Sequence, residues 1–207
     1  MQRTSALEQL LWDVYGHVRD GGAPITEGFA SLAEVEYLAD LARTAGARTV
    51  AEIGFNIGFS AIAFLESSPE ARVVSFELDQ RRSVALAKEF VDVRYPGRHE
   101  LVVGDSTATV PAYGGARPDL VFVDGGHTFE IAYADLVNAR RLARPGALVV
   151  VDDVIPWYPW GVGPHRAWTA AVEEGLVEPV ELHVDGRRVE VVAEPGDRAW
   201  ATGRFTR

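Results

Sequence analysis

An α/β fold, a mostly parallel sheet with helices on both faces, is predicted by three observations. Short apolar runs at 49–53, 73–76, 101–103, 120–123 and 147–151 recur along the chain with helical patterns between them. These runs are nearly continuous in Val, Ile, Leu and Phe, as strands buried on both faces must be. The stretch from Thr49 to Ser60, TVAEIGFNIGFS, runs from an apolar strand into a glycine-bearing turn and a helix. That arrangement turns free backbone N–H groups toward a ligand.

The elements follow in order. Ser5-Ala6-Leu7-Glu8 and Ser31-Leu32-Ala33-Glu34 match the capping box, in which Ser accepts from an N3 amide and Glu reaches back to the Ser amide. They predict helices over about Ala6–Asp20 and Leu32–Ala45, the second closed by Gly46. Between them Gly21-Gly22-Ala23-Pro24-Ile25-Thr26-Glu27-Gly28 is too broken for regular structure. After the second strand Asp79 can cap a helix through about Phe90. Later Phe129, Tyr133, Leu136 and Val137 lie at i, i+4, i+7, i+8, the core face of another helix. After Pro164 a helix is expected over about 166–174. Asp185-Gly186, between β-rich runs at 180–184 and 189–193, then predicts a hairpin that closes the sheet with an antiparallel strand.

Composition bounds the function. A chain of 207 residues reads as a single domain, with 1–46 as a helical cap and 47–207 as the sheet core. It is 47% apolar and 24% charged, with no membrane-length apolar run and no secretory h-region, so a cytoplasmic location away from membranes is expected. The net charge of −10 argues against a nucleic-acid partner, since phosphate binding rests on basic patches, and a small-molecule substrate is expected instead. The absence of cysteine removes disulfides, thiolate nucleophiles and Cys-ligated metals from consideration.

Gly54 and Gly58 free the backbone to turn sharply and approach a ligand, and Glu52 places a carboxylate beside the turn. The spacing Gly54-x-x-x-Gly58 is not the G-x-G-x-x-G of a dinucleotide site, which disfavours a pyrophosphate. Glu77, at the end of the second strand, is placed to accept hydrogen bonds from ribose hydroxyls.

EIGFNIGFSA resembles motif I of the class I S-adenosylmethionine-dependent methyltransferases, in the form found in the catechol O-methyltransferase-like branch. The resemblance covers about 49–154 and implies a Rossmann-like, seven-stranded sheet of order 3-2-1-4-5-7-6. It implies S-adenosylmethionine as cofactor, bound by Glu52, Gly54, Phe55, Asn56, Gly58, Ser60 and Glu77, with Asp124 beside them. Val103-Gly104-Asp105-Ser106 resembles the segment that edges the adenine in that branch; Asp105 is read either as an adenine partner or as the cap of the next helix.

Asp124 ends the fourth strand and Asp152-Asp153 end the fifth, neighbours whose carboxyl ends open onto the same crevice as Gly54. Acids so placed repel unless a cation intervenes, and an all-oxygen set suits Mg²⁺ or another hard divalent ion. The resembled branch takes Mg²⁺ from an Asp after strand four and an Asp-Asn pair after strand five; here the pair is Asp-Asp. His127, in the D-x-x-H segment, is the expected base for a hydroxyl proton, as in metal-dependent sugar O-methyltransferases of macrolide biosynthesis, with His165 as the alternative. The sole lysine, Lys88, lies elsewhere. Trp157, Tyr158, Trp160, His165 and Trp168 crowd the segment after the fifth strand and suit a flat acceptor or a contact between copies in a homo-oligomer. The expected activity is metal-dependent O-methylation of a small molecule, such as a natural-product intermediate. The rival readings are a metal-independent N- or C-methyltransferase and a non-catalytic S-adenosylmethionine-binding protein.

Overall fold

Ser5 and Ser31 each accept a hydrogen bond from the amide three residues on, at Glu8 (3.0 Å) and Glu34 (3.3 Å). The helices they start are α1 (Ala6–Asp20) and α2 (Leu32–Ala45), and α2 ends at Gly46 in the left-handed conformation (φ 64°). The capping box at Ser31 is only half made, because the Glu34 carboxyl does not reach back and is fully buried. These coordinates come from a computed structural model that describes residues 5–25 and 28–206. Thr26 and Glu27 of the glycine-rich loop lie outside the described residues.

The sheet is assembled from β1 (Thr49–Ile53), β2 (Arg72–Glu77), β3 (His99–Val103), β4 (Leu120–Val123) and β5 (Leu148–Val151), all parallel, in the order β3-β2-β1-β4-β5. The crossovers are α3 (Phe59–Ser67), α4 (Arg82–Arg94), α5 (Ser106–Ala112) and α6 (Phe129–Leu142), with α7 (Val162–Glu173) after β5. Helices α1 to α4 pack on one face against residues such as Val50, Phe64 and Leu120, and α5 to α7 on the other against Ile53, Val121 and Leu136. Strand β1 therefore lies where the winding reverses, and the carboxyl ends of β1 and β4 frame the crevice expected at such a switch point. No helix among the described residues is long and apolar enough to cross a membrane.

Several expectations are corrected. Asp79 does not cap α4: it accepts from Arg81 N (3.0 Å), and the cap position, Arg81, makes no side-chain cap bond. Helix α7 begins at Val162 and takes Pro164 into its first turn, where a missing N–H costs nothing. Of the predicted core stripe on α6, Leu136 is buried, whereas Phe129 and Tyr133 are half-buried and stacked (centroids 5.6 Å apart), with the Arg166 guanidinium over Phe129.

The largest correction is at the end of the sheet, which has eight strands rather than seven, in the order β3-β2-β1-β4-β5-β8-β6-β7. The Asp185-Gly186 turn is present, both residues in the left-handed region (φ 47° and 77°), joining β6 (Val177–Val184) to β7. But β7 (Arg187–Val189) is a three-residue edge strand, and the expected run at 189–193 is mostly irregular. The interior position between β5 and β6 belongs to β8 (Ala199–Phe205), antiparallel to both. Its sequence, AWATGRF, lacks the β-branched run that marks a strand because its neighbours press close. A Cβ on Gly203 would meet Val177 Cγ1 at 2.3 Å and the Trp168 ring at 3.0 Å.

Candidate active site

The turn after β1 is held from three sides. Gly54 (φ 97°) donates to Phe76 O at 2.8 Å, and a Cβ there would lie 2.0 Å from the Asp124 carbonyl oxygen, so only glycine lets the turn pack against the end of β4. Asn56, also left-handed (φ 48°), donates from Nδ2 to Gly28 O at 2.8 Å. Glu77 Oε2 accepts from Phe55 N (3.0 Å) and Asn56 N (2.9 Å), and its Oε1 accepts from Leu78 N (3.0 Å). The acid that the sequence assigns to ribose thus also ties β2 to the glycine turn.

A cleft of about 930 Å³ opens over this turn, lined by Gly54, Phe55, Asn56, Ser60, Glu77 and the 104–106 segment, and on the other side by Asp124, His127, Asp152 and Asp153. That is ample for a nucleoside-sized ligand. Asp105 caps α5, accepting from Thr107 N (2.8 Å) and Thr107 Oγ1 (2.7 Å), bonds that hold its carboxyl below the usual range. It borders the cleft as well.

Two residues of the expected cofactor set do not line the cleft. A Cβ on Gly58 would touch the Phe55 ring at 3.0 Å, so this glycine serves the packing of the turn. Glu52 lies beneath it, fully buried: Ser75 Oγ donates to Glu52 Oε1 (2.5 Å) and is 2.7 Å from His99 Nε2, with Phe55 stacked on the His99 ring (5.0 Å, 24°). Side chains alternate along a strand, so Glu52 projects from the sheet face instead of its end.

Burial pushes the Glu52 carboxyl up from 4.5 to about 8 and the His99 imidazole down from 6.5 to about 3. The raised Glu52 pKa means that its contribution to stability is whole below pH 4.5 and lost as pH rises through about 8. His99 has the opposite sign: its contribution is whole above pH 6.5 and lost as pH falls toward 3. The two contributions oppose each other between 4.5 and 6.5, and from 6.5 to 8 the Glu52 contribution falls with no opposing change at His99. Glu52→Gln is expected to flatten that decline in denaturant titrations; a mutant profile parallel to wild type would show that Glu52 ionises normally.

At the acidic wall, Asp124 follows β4 and Asp152-Asp153 follow β5. Asp153 is in the left-handed region (φ 55°), and its N–H donates to Asp152 Oδ1 at 2.7 Å. Ligand atoms of Asp124, His127 and Asp153 lie within 4.8 Å of one another, with His127 Nε2 3.1 Å from Asp153 Oδ2. Asp152, expected as the third metal ligand, is not in that group; its carboxyl meets that of Glu34. Burial, then the charges of Asp152 and Asp153, hold Asp124 well above the usual carboxylate range. Two carboxylates, one imidazole and an excess of buried negative charge fit a hard divalent cation at Asp124 and Asp153.

His127 precedes the α6 cap, Thr128, whose side chain accepts from Ile131 N (3.3 Å). A Cβ on Gly163 of α7 would lie 2.1 Å from the His127 carbonyl oxygen, so a glycine that sequence spacing did not single out lets α7 seat the His127 loop. His165, the alternative base, is on α7 and does not line the cleft. Trp168 is buried in the core and Trp157 donates to Gly196 O (3.0 Å), which leaves Tyr158 and Trp160, stacked at 4.5 Å, on the cleft rim. Arg198 joins them from the segment before β8, where Asp185 Oδ1 accepts from Asp197 N and Arg198 N at 3.0 Å each. Nothing local in the sequence marks Arg198 or Glu34 as parts of this region.

Comparison with known proteins matches this geometry to a family. The family described as "Methyltransferase domain" matches residues 51–154. A catechol O-methyltransferase of Mycobacterium tuberculosis is 36% identical over 126 residues, 60% of this chain and 56% of that protein. An Aspergillus flavus O-methyltransferase, imqG, is 24% identical over 78% of this chain and 63% of its own length. The chain thus spans little more than half the length of the curated relatives it matches. Among solved structures, cofactor-bound Rv0187 from MTB is 26% identical, with a TM-score of 0.79 over 98% of this chain and 93% of that one. The O-methyltransferase TomG from Streptomyces achromogenes, in complex with SAM, is also 26% identical, with a TM-score of 0.74 over 96% and 90%. A strand–glycine-turn–helix facing a strand-end acid, on this sheet and in this matched segment, accords with the family match: the chain belongs to the methyltransferase domain family, and within it is similar to a catechol O-methyltransferase and to cofactor-bound O-methyltransferase structures.

Proposed function

We propose that the chain transfers the methyl group of S-adenosylmethionine to a hydroxyl of a small molecule and uses a divalent cation, Mg²⁺ by the hardness of its donors. The observation that carries this reading is the meeting, in one cleft, of the Gly54 turn with Asp124, His127 and Asp153. Gly54, Glu77 and the 104–106 segment would hold the cofactor on the β1–β3 side, and Asp124 and Asp153 the cation on the other. When bound, the cation supplies positive charge where the acceptor oxygen becomes an anion. His127 takes the hydroxyl proton, the new C–O bond forms as the methyl–sulfur bond breaks, and S-adenosylhomocysteine leaves. Fixing both reactants in line across the cleft supplies much of the rate gain.

The rim supports an aromatic acceptor. Tyr158 and Trp160 offer a flat surface, and Arg198 a positive charge in the same cleft. The M. tuberculosis relative is named for catechol and TomG for its role in tomaymycin synthesis, which supports a catechol-like ring or a natural-product intermediate bearing one. Labelled S-adenosylmethionine incubated with a panel of catechols and MgCl₂ is expected to give methylated product, lost with EDTA and restored by excess Mg²⁺. Transfer undiminished by EDTA would instead favour metal-independent methylation; cofactor binding without transfer to any acceptor would favour a non-catalytic binding protein.

A further inference from the structure

Two arginines line the cleft, and they differ in their surroundings. Arg81, on the Glu77 side, has acids beside it: its Nε is 3.3 Å from Asp79 Oδ1, and a terminal nitrogen is 4.0 Å from Glu77 Oε1. The Arg198 guanidinium makes no ion pair and no hydrogen bond among the described residues. Its neighbour Asp197 does not neutralise it, because that carboxylate accepts from the Tyr158 hydroxyl at 3.0 Å. The fold fixes where this charge sits. Strand β8 runs antiparallel to β5, with Ala201 opposite Val151, so it starts at the carboxyl end of β5, where Ala199 O accepts from Val154 N at 2.9 Å. Arg198 therefore enters the cleft beside Asp152 and Asp153, not from the β1–β3 side. Its backbone is pinned twice by the hairpin turn: Asp185 Oδ1 accepts from Arg198 N at 3.0 Å, and Arg198 O accepts from Asp185 N at 2.9 Å. The guanidinium reaches the loop before α2, where a Cβ on Gly28 would lie 3.7 Å from it. A half-buried cation held this way, in a cleft otherwise rich in acids, is a receptor for an anion.

We propose that Arg198 pairs with a carboxylate on the acceptor, so that the substrate class is an aromatic acid carrying the hydroxyl to be methylated. The ring lies against Tyr158 and Trp160, the hydroxyl faces Asp124, His127 and Asp153, and the carboxylate takes the guanidinium. Two parallel N–H donors meet the two carboxylate oxygens, so the pair selects by direction as well as by charge. Without Arg198 the acids of the cleft would repel such a substrate. A neutral catechol, by contrast, leaves the guanidinium without a partner, and a site built around a charged group rejects the analogue that lacks its counterpart. This inference rests on the proposed O-methylation and narrows its acceptor.

The test compares catechol with 3,4-dihydroxybenzoate in wild type, Arg198→Gln and Arg198→Lys, by calorimetric titration with S-adenosylhomocysteine and MgCl₂ present and by initial rates. In wild type the acid is expected to bind about 10–100-fold more tightly than catechol, the worth of one charge-assisted pair. In Arg198→Gln that ratio should fall toward one, chiefly through the KM of the acid, and Arg198→Lys should restore part of it. Affinity for S-adenosylmethionine without acceptor should be the same in all three proteins. Equal loss for both acceptors would mean that the guanidinium only offsets the acids of the cleft, and would overturn the proposal. Weaker S-adenosylmethionine binding with an unchanged acceptor ratio would give Arg198 to the carboxylate of the cofactor, and would overturn it too, as would wild type that favours catechol or binds neither. Preferential binding of the acid without methylation would leave the Arg198 site standing and remove the proposed methyl transfer instead.

Discussion

Asp124→Asn is expected to lose divalent-cation binding and to transfer methyl groups about 10²–10³-fold more slowly, the range implied by several kcal/mol of lost charge stabilisation. The fold should survive, since the substitution keeps the shape of the side chain and relieves repulsion from Asp152 and Asp153. Asp153→Asn is the informative partner. Position 153 is left-handed, a conformation Asn tolerates well, and an amide oxygen can still ligate. It should therefore keep much of its metal binding and turnover. Calorimetric titration with Mn²⁺ and initial rates at saturating S-adenosylmethionine check both variants. Asp124→Asn with full turnover in the presence of EDTA would end the metal reading.

His127→Ala is expected to bind cofactor and metal as wild type does and to lose about 10²–10⁴-fold in kcat, the usual worth of a positioned general base. Its Nε2 is 3.1 Å from Asp153 Oδ2, which orients the ring at the edge of the cleft. In wild type the rate should rise with pH as the base is freed of its proton, and in the mutant that rise should vanish. The geometry leaves one other role open to measurement, because His127 also lies among the atoms able to ligate a cation. Loss of Mn²⁺ affinity in His127→Ala would make it a ligand; near-wild-type kcat with an unchanged pH profile would remove it from the chemistry. His165, away from the cleft, is expected to be dispensable in either case.

Much of the cleft could be read before any fold was seen. Gly54, Glu77 and Asp105 were found because a strand end, a turn and a cap each leave a signature within a few residues, and all three border the same cavity. The place of Glu52 in its strand is equally legible, but the direction of its side chain depends on the pleat: it points off the sheet face toward Ser75 and does not line the cleft.

The sequence by itself determined the five parallel strands, the two N-terminal helices and the glycine turn, because apolar runs, serine caps and left-handed glycines act over a handful of residues. Only the tertiary structure decided that AWATGRF is an interior strand, since small residues there answer to Val177 and Trp168 pressing from across the sheet. It alone brought Arg198 to the rim and set the His127 ring within ligand distance of Asp124 and Asp153. Those meetings join residues far apart in the chain, and the energies that fix them, close packing and the burial of charge, have no counterpart in local spacing.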